Sequence, residues 1–283
     1  MGFTVERDVE YGTTGSRSLH CDVFHPEPTG TPAPAAILLH GGGWRRGSRA
    51  TMHPRAEALA AQGILAVAAE YRLTDEAPWP AHVNDVKACL RWLRANAEAR
   101  NADPDQISLV GFSAGAHLAL MAAATPGDPT LAGNGGHEGV SEVVNAVVAF
   151  FPPVRIIPGA DRDNDLPASA GDSLGEGITA DEARVMSPIE RVTPGFPPTL
   201  LLHGTADEVV PSRSSQQFYE AVTAVGTAAE LRLYSGQRHE FVKIEEMLDL
   251  AMRDVALFVR RVLVDPARFD VPQAELFGAP AAR

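Results

Sequence analysis

The sequence predicts an α/β protein built on a mostly parallel, doubly wound sheet. Short, continuous apolar runs recur along the chain, as in strands that are buried on both faces, and segments with helical periodicity separate them. Two segments at the N-terminus alternate apolar with polar residues, which predicts an antiparallel hairpin. A chain of 283 residues can bury most of the surface that its unfolded form exposes. We expect one domain over residues 1–283.

The predicted elements follow one another in a regular order. The hairpin is assigned to "FTVERDVEY" and "SLHCDVF", and a loop with four prolines, "HPEPTGTPAPA", follows it. The buried strands are "AAILLH", "GILAVAAEY", "QISLVGF", "NAVVAFF" and "PTLLLHG", and a further strand, "AELRLY", precedes the last helix. Helical periodicity covers residues 51–62, 81–100, 114–124, 212–225 and 244–264. This alternation is typical of a doubly wound sheet.

Two segments depart from the alternation. Residues 152–198 are rich in proline, glycine and aspartate and lack sustained periodicity, so we predict a short lid or substrate-loop excursion there. Residues 266–283 are predicted to form a surface-docked or frayed tail.

Composition excludes several function classes. A formal charge of −12 disfavours nucleic acid and anionic membrane surfaces as partners, because both need a basic face. The N-terminus has no apolar signal-like run, so we expect a cytoplasmic protein that does not insert into membranes. Cys21 and Cys89 lack metal-ligand spacing and are expected to be buried free thiols. No metal and no cofactor are predicted, and the oligomeric state stays open.

The stretch "GFSAG" places Ser113 between Gly111 and Gly115, after a predicted strand and before a predicted helix. A sharp strand-to-helix turn of this kind exposes a nucleophilic serine, and its flanking glycines allow close backbone contacts. The motif also occurs by chance, and the alternative is a serine that caps the helix.

A serine nucleophile needs a base and an anion that orients the base. Asp207 follows a buried strand in "HGTADEVVP", and His239 lies in "YSGQRHEF" between the last strand and the last helix. The chain order Ser113, Asp207, His239 is the order of α/β-hydrolases. Glu208 is the alternative acid, and we favour Asp207. The zinc-protease pattern H-E-x-x-H is absent after His239.

The stretch "HGGGW" follows the first buried strand and supplies Gly41, Gly42 and Gly43. Unshielded N–H groups of such a loop, together with the N–H of Ala114, can bind a developing oxyanion. A phosphate-binding loop is the alternative, although no Lys-Ser/Thr follows the glycines. Trp44 either walls the substrate pocket or packs in the interior.

Other polar residues near these motifs are assigned structural roles. Arg72 and Asp85 are predicted to form a supporting salt bridge, and the pair Arg45 and Arg46 is predicted to be solvated. Three further histidines are predicted to be hydrogen-bonded packing residues: His40, His117 and His203.

Taken in order, "HGGGW", "EYRL", "GFSAGAHLA", "HGTADEVVP" and "GQRHEF" resemble the α/β-hydrolase esterases of the hormone-sensitive-lipase and acetylxylan/feruloyl-esterase-like groups. The segment before "HGGGW" is strand-like, so we do not expect the helical cap that is usual in the first group, and the resemblance is stronger to the second. The resemblance implies the α/β-hydrolase fold. It also implies a nucleophile, a base and its orienting acid, and three oxyanion donors: Ser113, His239, Asp207, Gly42, Gly43 and Ala114.

We therefore expect a cofactor-independent serine carboxylesterase that acts on small-molecule esters with short acyl groups. The alternatives are an amidase such as an aryl-formamidase on the same fold, and a catalytically inactive binding protein. The sequence does not distinguish the natural acyl and alcohol groups.

Overall fold

The structure is a computed structural model that describes residues 2–157, 174 and 178–271. Its described strands form one eight-stranded sheet. The strands are β1 Phe3–Thr14, β2 Arg17–Pro26, β3 Ala33–Leu39, β4 Leu65–Ala69, β5 Ala102–Phe112, β6 Ala146–Phe150, β7 Thr199–Gly204 and β8 Ala229–Tyr234. The α-helices are α1 His53–Ala60, α2 Ala81–Ala95, α3 Ala114–Ala124, α4 Ala180–Val185, α5 Arg213–Ala224, α6 Glu245–Val259 and α7 Pro266–Phe269.

The strand order across the sheet is β1-β2-β4-β3-β5-β6-β7-β8. Strand β2 pairs antiparallel with both β1 and β4, and every other pairing is parallel. The predicted sheet and its antiparallel N-terminal hairpin are therefore confirmed. Since parallel strands share one direction, the loops after β3, β5, β6, β7 and β8 all leave the same edge of the sheet.

Strand β3 illustrates why the central strands read as continuous apolar runs. Ala35, Ile37 and Leu39 belong to the apolar layer on one face of the sheet, and Ala36 and Leu38 belong to the layer on the other. Helices α2, α3 and α5 contribute to the first layer, and α1 and α6 contribute to the second. Because successive side chains alternate between faces, a strand covered on both sides must be apolar throughout.

Helix ends differ from the prediction more than helix positions do. The helix predicted over residues 81–100 ends at Ala95, because a 3₁₀ turn at Glu98–Arg100 and a left-handed Asn101 with φ of 52° redirect the chain into β5. The first helix begins at His53, after a 3₁₀ turn at Arg49–Met52. The last long helix ends at Val259 and continues as a π-helical turn.

Two predicted segments lie partly outside the described residues. Of the excursion at 152–198, residues 158–173 and 175–177 are not described, and its role as a lid stays a prediction. Its described part contains α4, which begins with a capping box in which Thr179 and Glu182 exchange hydrogen bonds. The tail forms α7, and residues 272–283 lie outside the description. None of the described helices is long and apolar enough to cross a bilayer.

Candidate active site

Ser113 occupies a strained turn between β5 and α3. Its φ of 53° and ψ of −117° lie where side chains are rarely found, so the surrounding structure must hold it there. A Cβ added to Gly115 would lie 2.2 Å from the carbonyl oxygen of Leu39, and one added to Gly111 would lie 2.3 Å from the carbonyl oxygen of Gly115. Both flanking glycines are therefore needed for the close approach. The Ser113 hydroxyl forms no capping hydrogen bond to α3, which argues against the alternative of a capping residue.

Three side chains from three loops form a hydrogen-bonded chain at this edge of the sheet. Ser113 follows β5, Asp207 follows β7 and His239 follows β8. The His239 Nε2 atom lies 3.0 Å from the Ser113 Oγ atom, and its Nδ1 atom lies 2.6 Å from Asp207 Oδ2. With a proton on Nδ1, the neutral ring donates to Asp207 and accepts the serine hydroxyl proton at Nε2. The structure thus brings the three predicted residues together.

The carboxylate of Asp207 is buried, and both of its oxygen atoms have hydrogen-bond partners. Its Oδ1 atom accepts hydrogen bonds from the backbone N–H groups of Val209 at 2.8 Å and Val210 at 2.9 Å. Its Oδ2 atom lies 3.3 Å from Nε2 of His203. Burial alone would raise the pKa of Asp207, but the hydrogen bonds from His203 and His239 hold that pKa well below its ordinary value. Asp207 is therefore ionised where it contacts His239.

The neighbouring carboxylate has a different environment. Glu208 is 76% exposed and pairs with Arg238 at 3.3 Å, so it does not compete with Asp207 for His239. His203 is buried and hydrogen-bonded, as predicted, with its Nδ1 atom 2.7 Å from Ser215 Oγ. Its contact with Asp207 was not anticipated from the sequence. The available signal was the spacing of four residues between His203, at the end of β7, and Asp207, in the loop that follows.

Phe151 is a site residue that the sequence did not indicate. It follows β6 with a φ of 42°, and its ring centroid lies 4.5 Å from that of His239. The ring is buried, and it forms a wall against the imidazole. In the sequence it was only the last residue of an apolar strand, and nothing in that pattern indicates a left-handed backbone.

The glycine loop after β3 lies against the Ser113 turn. Gly42 has a φ of 120°, and a Cβ there would lie 1.9 Å from the carbonyl oxygen of Arg46, so only glycine fits. The turn is closed by hydrogen bonds from the N–H groups of Arg45 and Arg46 to the carbonyl of Gly42. Ala114 begins α3, where N–H groups have no intrahelical partner. These backbone segments meet at the cleft that contains Ser113.

Trp44 both packs and lines the cleft. The indole is 2% exposed, and its Nε1–H donates to Nδ1 of His117 at 3.3 Å. His117 Nε2 in turn contacts the carbonyl oxygen of Met186 at 2.7 Å. Burial lowers the pKa of His117 to about 4, so the ring is neutral, and both of its nitrogens are engaged by Trp44 and Met186, as expected of a packing residue. His40 is also a packing residue, as predicted, and stacks on Tyr71 with ring centroids 4.3 Å apart.

A cavity of about 1050 Å³ opens over Ser113 and His239. The predicted salt bridge between Arg72 and Asp85 is present, with Nη2 of the arginine 2.7 Å from Oδ1 of the aspartate. Cys21 and Cys89 are buried and free, as expected. Across the ranges 2–157 and 178–271 no cluster of histidine, cysteine, aspartate and glutamate has the arrangement of a metal site.

Comparison with known proteins agrees with this architecture. The BD-FAE family model matches residues 21–222, which is more than half of the chain. The chain belongs to the BD-FAE family. This BD-FAE protein is 34% identical over 278 residues to the esterase LipC of Mycobacterium tuberculosis, covering 93% of the chain and 66% of LipC. It is 33% identical to the probable carboxylic ester hydrolase LipM of the same organism, covering 77% of the chain and 52% of LipM. It thus spans less than two thirds of either relative.

Solved structures with the same fold cover almost the whole BD-FAE chain. A truncated carbohydrate esterase from gut microbiota superposes with a TM-score of 0.79 at 26% identity, covering 91% of this chain and 95% of that one. Thermogutta terrifontis esterase 2, phosphonylated by sarin, superposes with a TM-score of 0.76 at 28% identity, covering 96% and 97%. These matches confirm the predicted α/β-hydrolase fold and the resemblance to esterases.

Proposed function

We propose that this protein is a serine carboxylesterase whose catalytic residues are Ser113, His239 and Asp207. The observation that carries the proposal is the continuous hydrogen-bonded chain from Asp207 Oδ2 through the His239 ring to Ser113 Oγ, with distances of 2.6 and 3.0 Å. A hydroxyl, a base and an orienting acid in this arrangement activate a serine for acyl transfer. The names of LipC and LipM, which describe ester hydrolysis, support the same activity.

The geometry supports a two-step reaction through an acyl-enzyme. His239 Nε2 takes the hydroxyl proton as Ser113 Oγ attacks the ester carbonyl, and the new imidazolium then gives that proton to the departing alcohol. The backbone N–H groups of Gly42, Gly43 and Ala114 are the proposed donors to the negative oxygen of the tetrahedral intermediate. A water molecule, activated by the same histidine, then releases the acid and restores Ser113.

Asp207 has two proposed roles in this cycle. Its hydrogen bond to Nδ1 keeps the imidazole proton away from Nε2, so that Nε2 can accept. Because hydrogen bonds hold its pKa well below the ordinary value, although burial opposes this, it stays ionised and stabilises the imidazolium that forms.

We also propose that the enzyme prefers short acyl groups, from acetate to about butyrate. A long acyl chain needs a continuous apolar trough, because each buried methylene contributes about 0.8 kcal/mol. The described walls of the cleft are instead interrupted by glycines and by arginines. A structure of Thermogutta terrifontis esterase 2 with propionate bound, 29% identical to this chain with a TM-score of 0.75, is consistent with a short acyl group.

The proposed nucleophile is tested by active-site labelling. A fluorophosphonate should modify Ser113 alone in peptide maps, and Ser113→Ala should lose labelling together with ester turnover, by several orders of magnitude. Ser235→Ala, which changes an exposed serine, is the matched control and should keep both. A label on another serine, with turnover retained in Ser113→Ala, would refute the assignment.

A substrate panel then separates the ester from the amide activity. p-Nitrophenyl esters from acetate to palmitate, compared by kcat/KM below micellar concentrations, should show an optimum at butyrate or shorter. An optimum at octanoate or longer would refute the short-acyl proposal. Turnover of N-formyl anilides without turnover of acetyl esters would replace the esterase by an amidase.

A further inference from the structure

One wall of the cleft is strongly cationic. Four basic side chains, Arg45, Arg46, Arg55 and Lys243, line the cavity that contains Ser113, and Glu240 is the one carboxylate among the described lining residues. This concentration of positive charge contrasts with the formal charge of −12 for the whole chain. We call Arg45, Arg46 and Arg55 the cationic wall.

Among the described residues, the cationic wall takes part in no ion pair. Glu240 pairs with Lys243, three residues along the chain, which accounts for that lysine. In the part of the chain that the structure describes, no carboxylate lies within 4.0 Å of the guanidinium group of Arg45, Arg46 or Arg55. The predicted solvation of Arg45 and Arg46 is correct for their exposure, but both face the substrate cleft.

Arg55 is the member of this wall that is held in place. Its Nη1 donates to the carbonyl of Thr51 at 3.1 Å and its Nη2 to that of Val242 at 3.2 Å. Its Cζ atom lies 5.6 Å from the ring centroid of Phe112, the residue before Ser113. The guanidinium of Arg55 is therefore fixed beside Phe112, and both residues line the cleft.

The bonding capacity of Arg55 is only partly used. A guanidinium has five N–H donors, and Arg55 uses one at Nη1 and one at Nη2, which leaves one further N–H at each of these atoms. Its Nε has no partner among the described residues, but it is buried and does not contact the cleft. Burial lowers the pKa of Arg55, and the charge of Glu240 offsets this only in part. A half-buried cation without a paired carboxylate is unfavourable for the free protein, and an anion bound in the cleft would relieve this.

We propose that the cationic wall is an anion-binding subsite and that the preferred substrates are esters bearing a carboxylate. The inference rests on the proposed esterase activity and names its substrate class. A planar guanidinium can bind a carboxylate through two parallel hydrogen bonds, with Arg55 as the fixed contact and the exposed Arg45 and Arg46 adding attraction at the rim. Their field would also draw anionic esters toward a cleft on an otherwise acidic protein.

Two matched substrate pairs test the proposal and locate the carboxylate. 4-Acetoxybenzoate is compared with 4-acetoxybenzamide, which places the charge on the alcohol side. Monoethyl succinate is compared with ethyl succinamate, which places it on the acyl side. For each pair the measured quantity is the ratio of kcat/KM, anionic to neutral, after division by the alkaline hydrolysis rates of the two esters.

We expect a ratio of about ten or more for one of the two pairs, falling toward one in 0.5 M NaCl because salt screens the attraction. Arg55→Gln should lower that ratio about tenfold, and Arg55→Lys, which keeps the charge but loses the two parallel hydrogen bonds, should lower it by less. Arg46→Gln changes an exposed side chain and should lower the ratio about threefold. Arg253→Gln, which removes an exposed charge on α6, is the control and should leave the ratio unchanged.

The outcomes separate this proposal from the proposed activity. If the neutral esters are hydrolysed and both wild-type ratios are one or less, the anion subsite is refuted and the esterase stands. If the ratio is high but Arg55→Gln and Arg46→Gln both retain it, the subsite lies elsewhere and this proposal is also wrong. If no ester in either pair is hydrolysed, the esterase proposal itself fails.

Discussion

Arginines within the segment 45–55 differ in whether carboxylates surround them. Arg49 faces the N-terminal hairpin, where it forms ion pairs with Asp8, Asp22 and Glu70. Arg46 and Arg55 flank it in sequence but line the cleft, where the one carboxylate among the described lining residues, Glu240, forms its ion pair with Lys243. The comparison teaches that neighbouring arginines of one segment serve different purposes. Arg49 joins elements through ion pairs, whereas Arg46 and Arg55 line the cleft of the proposed nucleophile without an ion pair.

Left-handed backbone conformations occur in both regions, but on different residue types. At the cleft, Ser113 and Phe151 both have positive φ values, 53° and 42°, in contact with His239 through a hydrogen bond and a ring contact. Such conformations are unfavourable by about 1–3 kcal/mol each and persist only where the surroundings enforce them. At the hairpin the positive φ of 59° belongs to Asp8, a residue type that tolerates it, and the buried carboxylate of Asp22 is paired. The cleft is therefore the region where we expect activity and stability to oppose each other.

The largest expected effect comes from neutralising the acid of the cleft. Asp207→Asn should lower kcat for an acetyl ester by about 10³–10⁴-fold, because an amide neither fixes the His239 tautomer nor stabilises the imidazolium. Steady-state kinetics measure this, and circular dichroism checks the fold. Glu208→Gln is the matched control because Glu208 is exposed and paired only with Arg238, and it should stay within about twofold of wild type. Equal losses in both variants would contradict the assignment of Asp207.

The sequence was sufficient to predict that Asp207, His239 and Ser113 lie close together, because each follows the end of a strand. Parallel strands bring their carboxyl ends to one edge, so residues that are 126 and 32 positions apart along the chain can be placed together from the pattern alone. The same reasoning predicts that the glycine loop, which follows β3, lies at this edge as well. The central strands were also predictable, since burial on both faces produces a continuous apolar run.

Other features depend on packing that the pattern does not encode. The unpaired state of Arg55 depends on which side chains α1 and the loop after β8 bring near it, and a single arginine in a helix gives no such signal. The left-handed backbone of Phe151 has no local cause, because phenylalanine does not favour it. The end of α2 at Ala95 was missed because a left-handed Asn101, rather than glycine or proline, redirects the chain.

The contacts that stabilise the hairpin can be weakened without changing a residue of the cleft. Asp22 accepts hydrogen bonds from the Asp8 N–H at 2.8 Å and contacts His53 Nε2 at 2.7 Å, beside its ion pair with Arg49 at 3.3 Å. Asp22→Asn leaves Arg49 with less compensation, and we expect a loss of about 2 kcal/mol in the free energy of unfolding. Urea denaturation measures the loss. The kcat of the folded enzyme should be unchanged, and a fall in kcat comparable to that of Asp207→Asn would contradict the separation of the two regions.

Acid titration provides the control for that variant. Burial favours a higher pKa for Asp22, but its hydrogen bonds from Asp8 and His53 and the charge of Arg49 lower the pKa below its ordinary value. A carboxyl whose pKa is lowered by folding contributes stability above its unfolded pKa of about 3.9, and this stability is lost as the pH falls through the folded pKa. The stability difference between wild type and Asp22→Asn should therefore be constant near neutral pH and shrink below about pH 4. A difference that grows on acidification would contradict this account.

The smallest expected effect concerns the strain at Ser113. Glycine populates a φ of 53° with a ψ of −117° far more readily than residues with a Cβ do, so Ser113→Gly should be more stable than Ser113→Ala by about 1 kcal/mol. The gain is limited because glycine also increases the entropy of the unfolded chain. Both variants should be inactive, so urea unfolding compares stability without a difference in function. Asn101→Gly is the control, since asparagine already tolerates its φ of 52° and should gain only a few tenths of a kcal/mol. If Ser113→Gly and Ser113→Ala unfold at the same urea concentration, the turn stores no strain, and the contrast between the cleft and the hairpin is one of charge alone.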